Sequence, residues 1–326
     1  MSIQITIIGL GQIGASIGLA LAEHKNLTLI GHDKNMSTAK TAQKMGAVHE
    51  TKRNLPNSVK NADIVILSLP FSEIRETLDY IKEDLKEDAV ILDTAPSKAA
   101  INKWIQEIFP AGRAYIGLAP VINPIYLDEN ESAVNAARAD LFHKAITMIA
   151  APPTASGEAI QLATDLVQLI GSRPLFTDIT EVDGLTASVQ LLPQLIAASL
   201  LNTTVDHSGW DEARKLTGRA YADTTNAILH HEGAASLSAA VLKNRQNITR
   251  VLDGMIESLQ EIQKNIAADD KDALDEALTR AEEGRILWLR ERRNADWLSA
   301  GEKPSPVEST GISERLFGIK KRNPRS

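Results

Sequence analysis

The segment that most constrains the fold lies at the start of the chain. There the apolar, β-branched run Ile3, Ile5, Ile7 and Ile8 passes directly into Gly9-Leu10-Gly11-Gln12-Ile13-Gly14 and then into a stretch of small residues over 15–22. An apolar run of this length reads as a strand buried on both faces of a parallel sheet, and the small-residue stretch reads as a closely packed helix. Strand, glycine turn and helix in this order build a dinucleotide site. Gly9 permits the tight turn, Gly11 leaves room between backbone and pyrophosphate, and Gly14 lets the helix approach the strand. Leu10, Gln12 and Ile13 complete the loop, and the helix start offers free N–H groups to phosphate.

A glycine motif alone is weak, so the following strand matters. Residues 27–31 form it, and Asp33 comes about 20 residues after the glycines, where an acid binds the ribose hydroxyls of NAD. Lys34, next to it, would tolerate the extra phosphate of NADP, whereas Asp33 would repel it; NAD is the expected cofactor and NADP is not excluded.

The alternation then continues. Strands are expected at 64–69 (ending in Leu69 before Pro70), 89–92, 115–118, 146–150 and 175–177. Helices fall between them, with Ile74, Leu78, Ile81 and Leu85 on one face of the helix after Pro70. This predicts an α/β Rossmann domain, a doubly wound and mostly parallel sheet, over 1–178. Ligands of such sheets bind beyond the carboxyl ends of the strands, which nominates Leu69, Pro70, Phe71, Asp93, Thr94, Ala119 and Asn123 as lining residues.

From Glu181 onward no strand pattern occurs. Residues 189–201 are apolar nearly all round and contain Pro193, the signature of a kinked, buried helix. Val241, Ile248, Leu252, Met255, Leu259, Ile262 and Ile266 recur at spacings of three, four and seven, predicting one long amphipathic helix over 237–266. Leu274, Leu278, Ala281 and Trp288 continue a second. Long apolar helices in a small unit pack against copies of themselves, so 179–299 is expected to be an all-α dimerisation and substrate domain of a homodimer. The composition of 300–326 predicts a disordered tail.

Composition narrows the partners. The chain of 326 residues is long enough for two cores, carries no cysteine and has a formal charge of -7. That excludes a thiolate metal site and argues against nucleic acid as a partner. His143, His207, His230 and His231 lack metal-ligand spacing, so no metal is expected. There is no basic leader and no uninterrupted apolar run of about 18 residues, which gives a cytoplasmic protein without a membrane span as the expectation.

The chain resembles the prephenate dehydrogenase family over roughly 3–297. The resemblance rests on Gly9-Leu10-Gly11-Gln12-Ile13-Gly14, on Asp93-Thr94-Ala95-Pro96-Ser97-Lys98, on Gly117-Leu118-Ala119-Pro120-Val121, on Val182-Asp183-Gly184-Leu185-Thr186-Ala187 with Leu192-Pro193, and on Asp223-Thr224-Thr225. It implies NAD-dependent oxidative decarboxylation of prephenate in tyrosine biosynthesis, by a Rossmann domain followed by a helical dimerisation domain. It also marks departures. Ala119 stands where the family has a histidine that hydrogen-bonds the substrate hydroxyl. Pro96 replaces a serine, with Ser97 beside it. Leu191 and Gln194 replace histidines, and Asn226 replaces the arginine that holds a substrate carboxylate. Lys98, Ser97, Gln190 and Arg219 are the candidates for substitute catalytic groups, and Ala119, Asn123, Gln190, Gln194 and Asn226 for the substrate pocket. Arg219 and Asn226 would share a helical face two turns apart, and Gln190 and Gln194 one turn apart. Three functions fit: a dehydrogenase for a small molecule other than prephenate, a prephenate or arogenate dehydrogenase with substitute groups, and a non-catalytic dinucleotide-responsive regulator.

Overall fold

The computed structural model describes residues 2–109, 113–129, 133–229 and 233–295. The chain divides into two compact units. Of these described residues, the first unit holds those within 2–69, 74–179 and 286–295; the second holds Pro70–Glu73 and those within 180–285.

The first unit alternates strand and helix: β1 (Ile3–Ile8), α1 (Gln12–Leu21), β2 (Leu27–His32), α2 (Met36–Lys44), β3 (Glu50–Thr51), α3 (Leu55–Val59), β4 (Ile64–Leu67), α4 (Phe71–Ile81), β5 (Val90–Asp93), α5 (Lys98–Ile108), β6 (Ala114–Pro120), β7 (Ile146–Ala150), α6 (Gly157–Leu169) and β8 (Arg173–Thr177). The strands make one eight-stranded sheet in the order β3-β2-β1-β4-β5-β6-β7-β8. Register runs Ile5 to Leu29 on one side and Ile5 to Ile64 on the other, then Ile64 to Val90 and Val90 to Ala114.

One face of this sheet explains the apolar runs. Ile3, Ile5, Ile7, Leu29, Ile66, Leu92, Ile116 and Leu118 share a cluster with Ile17 and Leu21 of α1 and Leu162 and Leu166 of α6. Their neighbours in sequence, Ile8, Val65, Leu67 and Ile91, are equally buried and, by the period of two, point to the opposite face. Burying one such side chain contributes about 1.5–3 kcal/mol, so a strand apolar at every position is stable only with both faces covered.

The sheet is mostly parallel as expected, with one strand the sequence reading did not include and one antiparallel pairing. The short strand β3 has no apolar pattern and was not anticipated. β7 runs antiparallel to β6, whereas every other neighbouring pair is parallel. Among the described residues of the connection from β6 to β7 there is no crossover helix, only 3-10 turns at Pro124–Tyr126 and Ala133–Ala136. An antiparallel return needs no crossover.

The second unit is helical: α7 (Ile179–Thr186), a π-helical segment (Ala187–Leu191), α8 (Leu192–Val205), α9 (Trp210–Ala213), α10 (Arg219–Asn226), α11 (Ala234–Lys243), α12 (Arg245–Ala267) and α13 (Lys271–Asn294). The expected kink at Pro193 takes the form of the π segment, in which the Leu192 N–H bonds to the carbonyl of Ala187, five residues back. Proline has no N–H and its ring crowds the carbonyl four residues earlier, so the preceding turn widens. The single helix expected over 237–266 is instead two. Asn244 breaks it, is buried, and donates from Nδ2 to the Asp183 carbonyl at 2.7 Å while accepting from Asn247 Nδ2 at 2.8 Å. A polar residue within an apolar stripe thus serves as a joint, because its amide satisfies a carbonyl on α7. From Ile286 onward α13 groups with the first unit, where Arg292 donates to the Ile122 carbonyl at 2.6 Å.

The helical run Ile179–Val205 is long and apolar enough to cross a membrane by length and composition alone. The expectation from uninterrupted apolar runs missed it because Ser188, Gln190, Gln194 and Ser199 punctuate the sequence. Only 28% of its most apolar 18-residue stretch is buried, and Val189 is 70% exposed. The expected tail, 300–326, lies outside the described residues, as do His230 and His231.

Candidate functional site

The strand order places the topological switch between β1 and β4, where connections leave in opposite directions along the sheet. The loops at their carboxyl ends are therefore the expected binding crevice. The glycine turn follows β1, and each of its glycines is required differently. Gly9 adopts φ +92°, and a Cβ there would lie 2.0 Å from the Ser68 carbonyl oxygen. At Gly14 a Cβ would lie 2.0 Å from the Gly9 carbonyl oxygen. At Gly11 it would meet no atom within 4 Å. The outer two glycines thus answer to the fold, while Gly11 faces open space. Gly11 also caps α1 without a side-chain hydrogen bond, so the helix start is bare toward that space. A diphosphate fits this arrangement.

Asp33 follows β2 and turns onto the loop. Its Oδ2 accepts from the Leu10 N–H at 2.9 Å and its Oδ1 from the Asn35 N–H at 2.8 Å. A carboxylate has about four acceptor sites, so these bonds orient Asp33 and leave capacity for ribose hydroxyls. Lys34 beside it is exposed. Gln12 reaches the Ala136 carbonyl at 3.4 Å and Ser16 accepts from the Arg138 N–H at 2.9 Å, so side chains of α1 tie down the β6–β7 connection. The loop residues Leu10 and Ile13 pack inward, Leu10 being wholly buried.

The second strand end adds Ser68, which sequence reasoning missed because an isolated serine between Leu67 and Leu69 carries no pattern. Besides walling Gly9, it lies 3.4 Å from the Thr94 hydroxyl, hydroxyl to hydroxyl. Thr94 is fixed by its N–H, which donates to the Leu67 carbonyl at 3.0 Å. Leu69 also borders Gly9, since its Cδ2 would lie 3.2 Å from a Cβ at that position. The ends of β1, β4 and β5 therefore meet around one turn, with Leu69 beside Gly9, Thr94 reaching it through Ser68, and Asp33 bound to Leu10 of the same turn.

Lys98 and Ser97 do not stand where catalytic groups would. Lys98 is 1% exposed, and its Nζ donates to Asp93 Oδ1 at 2.7 Å and to the Asp93 carbonyl at 3.1 Å. Its stem lies over Gly117, where a Cβ would come within 2.8 Å of Lys98 Cδ. The Asp93 carboxylate accepts as well from the Tyr115 hydroxyl at 2.7 Å and the Ala95 N–H at 2.9 Å. Burial pushes the Asp93 carboxyl above the usual range, and Lys98, Tyr115 and Ala95 pull it back. Ser97 is also buried, in a left-handed conformation at φ +65° that starts α5. The correction at Lys98 has a local cause: the residue that ends β5, read as lining a site, is an acid buried at the carboxyl end of an interior strand, and it captures the lysine.

Asn123 is likewise a cap. Its Oδ1 accepts from the Ile125 N–H at 3.2 Å and its Nδ2 donates to the Asp140 carbonyl at 3.3 Å, which uses both ends of the amide. Ala119 is buried near the carboxyl end of β6, paired with Met148.

In the helical unit, Gln194 Nε2 donates to the Gln190 carbonyl at 2.7 Å. That bond sets the amide orientation, and Gln194 Oε1 is left buried with no partner among the described residues. Gln190 itself is exposed. Arg219 and Asn226 begin and end α10, so the two turns between them are continuous helix; Arg219 is exposed. Among the described residues, no three His, Asp or Glu side chains gather as metal ligands would.

A Rossmann sheet with a dinucleotide-type glycine turn, followed by a helical unit, is an architecture shared by many nicotinamide-dependent oxidoreductases. Residues 17–175 match the family model "Prephenate dehydrogenase, nucleotide-binding domain" and 179–280 match "Prephenate dehydrogenase, dimerization domain". The chain belongs to the prephenate dehydrogenase family of NAD-dependent dehydrogenases. The first match opens after the glycine turn, which therefore stands on its own geometry. The chain is 27% identical over 277 residues to a prephenate dehydrogenase of Lactococcus lactis subsp. cremoris, covering 83% of this chain and 73% of that one. It is 24% identical over 289 residues to a cyclohexadienyl dehydrogenase of Zymomonas mobilis, covering 87% and 95%. A crystal structure of prephenate dehydrogenase from A. aeolicus, in complex with hydroxyphenyl propionate and NAD+, shares the fold. Its TM-score is 0.76 at 20% identity, over 88% of this chain and 98% of that one.

Proposed function

We propose that this chain binds NAD at Gly9, Gly11, Gly14 and Asp33 and oxidises a small molecule other than prephenate. Residues 1–178 act as the cofactor domain, and 179–299 as the helical domain of a cytoplasmic homodimer. NAD, when bound, supplies the hydride acceptor. The chain's own residues hold it: Gly11 gives backbone room, the bare start of α1 faces the phosphates, and Asp33 offers acceptors to ribose. Phosphorylation of that ribose, as in NADP, would set an anion against Asp33.

The observation that carries the substrate reading is Ala119. It stands where the resemblance places a histidine base, and a methyl group neither takes nor gives a proton. Two features of the helical unit support the same reading. Asn226 carries no charge to hold a carboxylate, and Gln194 presents a buried acceptor that calls for a donor group. A buried acceptor without a donor costs about 1–3 kcal/mol, so a ligand bearing a hydroxyl or amine gains by meeting it.

The test is steady-state NADH formation with NAD and prephenate by the parent, Ala119→His, Asn226→Arg and the double variant. The parent is expected to turn over at least about 100-fold more slowly than an ordinary family member, the range a general base supplies. The double variant is expected to gain more than either single change, since proton transfer and carboxylate binding are separate requirements of prephenate oxidation. Efficient oxidation of prephenate by the parent would overturn the substrate reading and leave the cofactor reading standing.

A further inference from the structure

We propose that Asp93, Lys98 and Tyr115 form a positioning unit for the dinucleotide, in which Lys98 acts through Asp93 and never touches the ligand. The inference rests on the reading of the glycine turn as the NAD site. All three side chains are buried. Together with the Ala95 N–H, Lys98 Nζ and the Tyr115 hydroxyl give the Asp93 carboxylate three directional donors, within 2.7–2.9 Å.

Stability does not account for this arrangement. A buried ion pair loses in desolvation about what it gains in attraction, and apolar residues of similar volume commonly replace such pairs at no loss. What apolar residues cannot supply is direction. The three donors, with the second Lys98 bond to the Asp93 carbonyl at 3.1 Å, fix the backbone of the turn that leaves β5. That turn ends in Ser97, whose left-handed φ of +65° is a conformation non-glycine residues hold only where the surroundings enforce it. It starts at Thr94, whose hydroxyl stands 3.4 Å from that of Ser68, the residue whose carbonyl walls Gly9. The network is thus one residue away from the cofactor crevice. Gly117 belongs to it, because any side chain there would strike the Lys98 stem.

The experiment is fluorescence titration with NADH, beside urea unfolding, of the parent, Tyr115→Phe, Lys98→Met and the charge-balanced pair Asp93→Asn with Lys98→Met. Tyr115→Phe removes one donor with little change of volume, so it is expected to fold with a lowered midpoint, because Asp93 Oδ2 loses the Tyr115 hydroxyl. Its NADH affinity is expected to fall about five- to tenfold, the factor one buried hydrogen bond carries. The charge-balanced pair is expected to weaken binding further at comparable stability, while Lys98→Met alone leaves a buried unpaired acid and is expected to lose stability as well. If Tyr115→Phe and the charge-balanced pair both bind NADH like the parent, the network serves folding only and the proposal is wrong. Should the charge-balanced pair fail to fold, Tyr115→Phe decides. A parent that does not bind NADH at all would overturn the cofactor reading itself, a result distinct from equal binding by parent and variants.

Discussion

Gly9, Gly11 and Gly14 serve three different ends within one turn, and substitution separates them. Gly11→Val adds a side chain to open space, so the fold is expected to persist while NADH binding is lost; isothermal titration and a urea curve on the same variant check both halves. Gly9→Ala combines a positive φ with a Cβ 2.0 Å from the Ser68 carbonyl oxygen. It is expected to lower stability by about 2 kcal/mol or more, read as a fall in the urea midpoint. If Gly11→Val instead unfolds the protein while binding survives in Gly9→Ala, the assignment of the two roles is reversed. At this scale the sequence was most informative where a residue type is required by the backbone. It was least informative for ionisable side chains, since nothing in Asp93-Thr94-Ala95-Pro96-Ser97-Lys98 says whether the lysine reaches a ligand or the acid five residues before it.

Among the elements, the stretch from α7 to α8 concentrates the departures from regularity. Its π segment follows from Pro193, and the same irregular turn holds the Gln190 carbonyl where Gln194 Nε2 reaches it. Pro193→Ala restores an N–H. It is expected to stabilise the helix by a sizeable part of the ~3 kcal/mol that proline costs within a helix, with a matching rise in the melting temperature. The local geometry around Gln194 changes with it, so turnover of the true substrate is expected to fall while NADH affinity stays constant. A variant that is both more stable and equally active would show that the π turn has no part in substrate handling. Element positions were legible because apolar periodicity reports burial directly: β1 and β7 have the bounds their runs suggest. Breaks within elements were less legible. The apolar periodicity over 237–266 carries no mark of the break at Asn244, whose partner, the Asp183 carbonyl, lies 61 residues earlier.

For the whole molecule, the helical unit leaves Val189, Ile256, Leu259, Ile266 and Leu278 at least half exposed and matches a dimerization domain. Sedimentation at micromolar concentration is expected to show a dimer. Replacing Leu259 and Ile266 by lysine is expected to shift it toward monomer, because each exposed aliphatic side chain adds to the apolar area an interface removes from water. A parent that sediments as a monomer would withdraw the claim. The net charge of -7 belongs to the same scale: it bears on partners, and it left the fold itself unaddressed.

The amino-acid sequence by itself determined the alternation of the apolar strands with helices, the glycine turn after β1, the acid after β2 and the change to an all-helical second half. Each of these depends on near neighbours, through backbone sterics and the period of the apolar pattern. Tertiary structure alone decided the antiparallel β7, the joint at Asn244, and the fate of Lys98 and Asn123, whose hydrogen bonds are spent on the protein. Those outcomes turn on which polar group lies nearest once distant segments pack, and a buried charge or amide takes whatever partner the fold brings within about 3 Å.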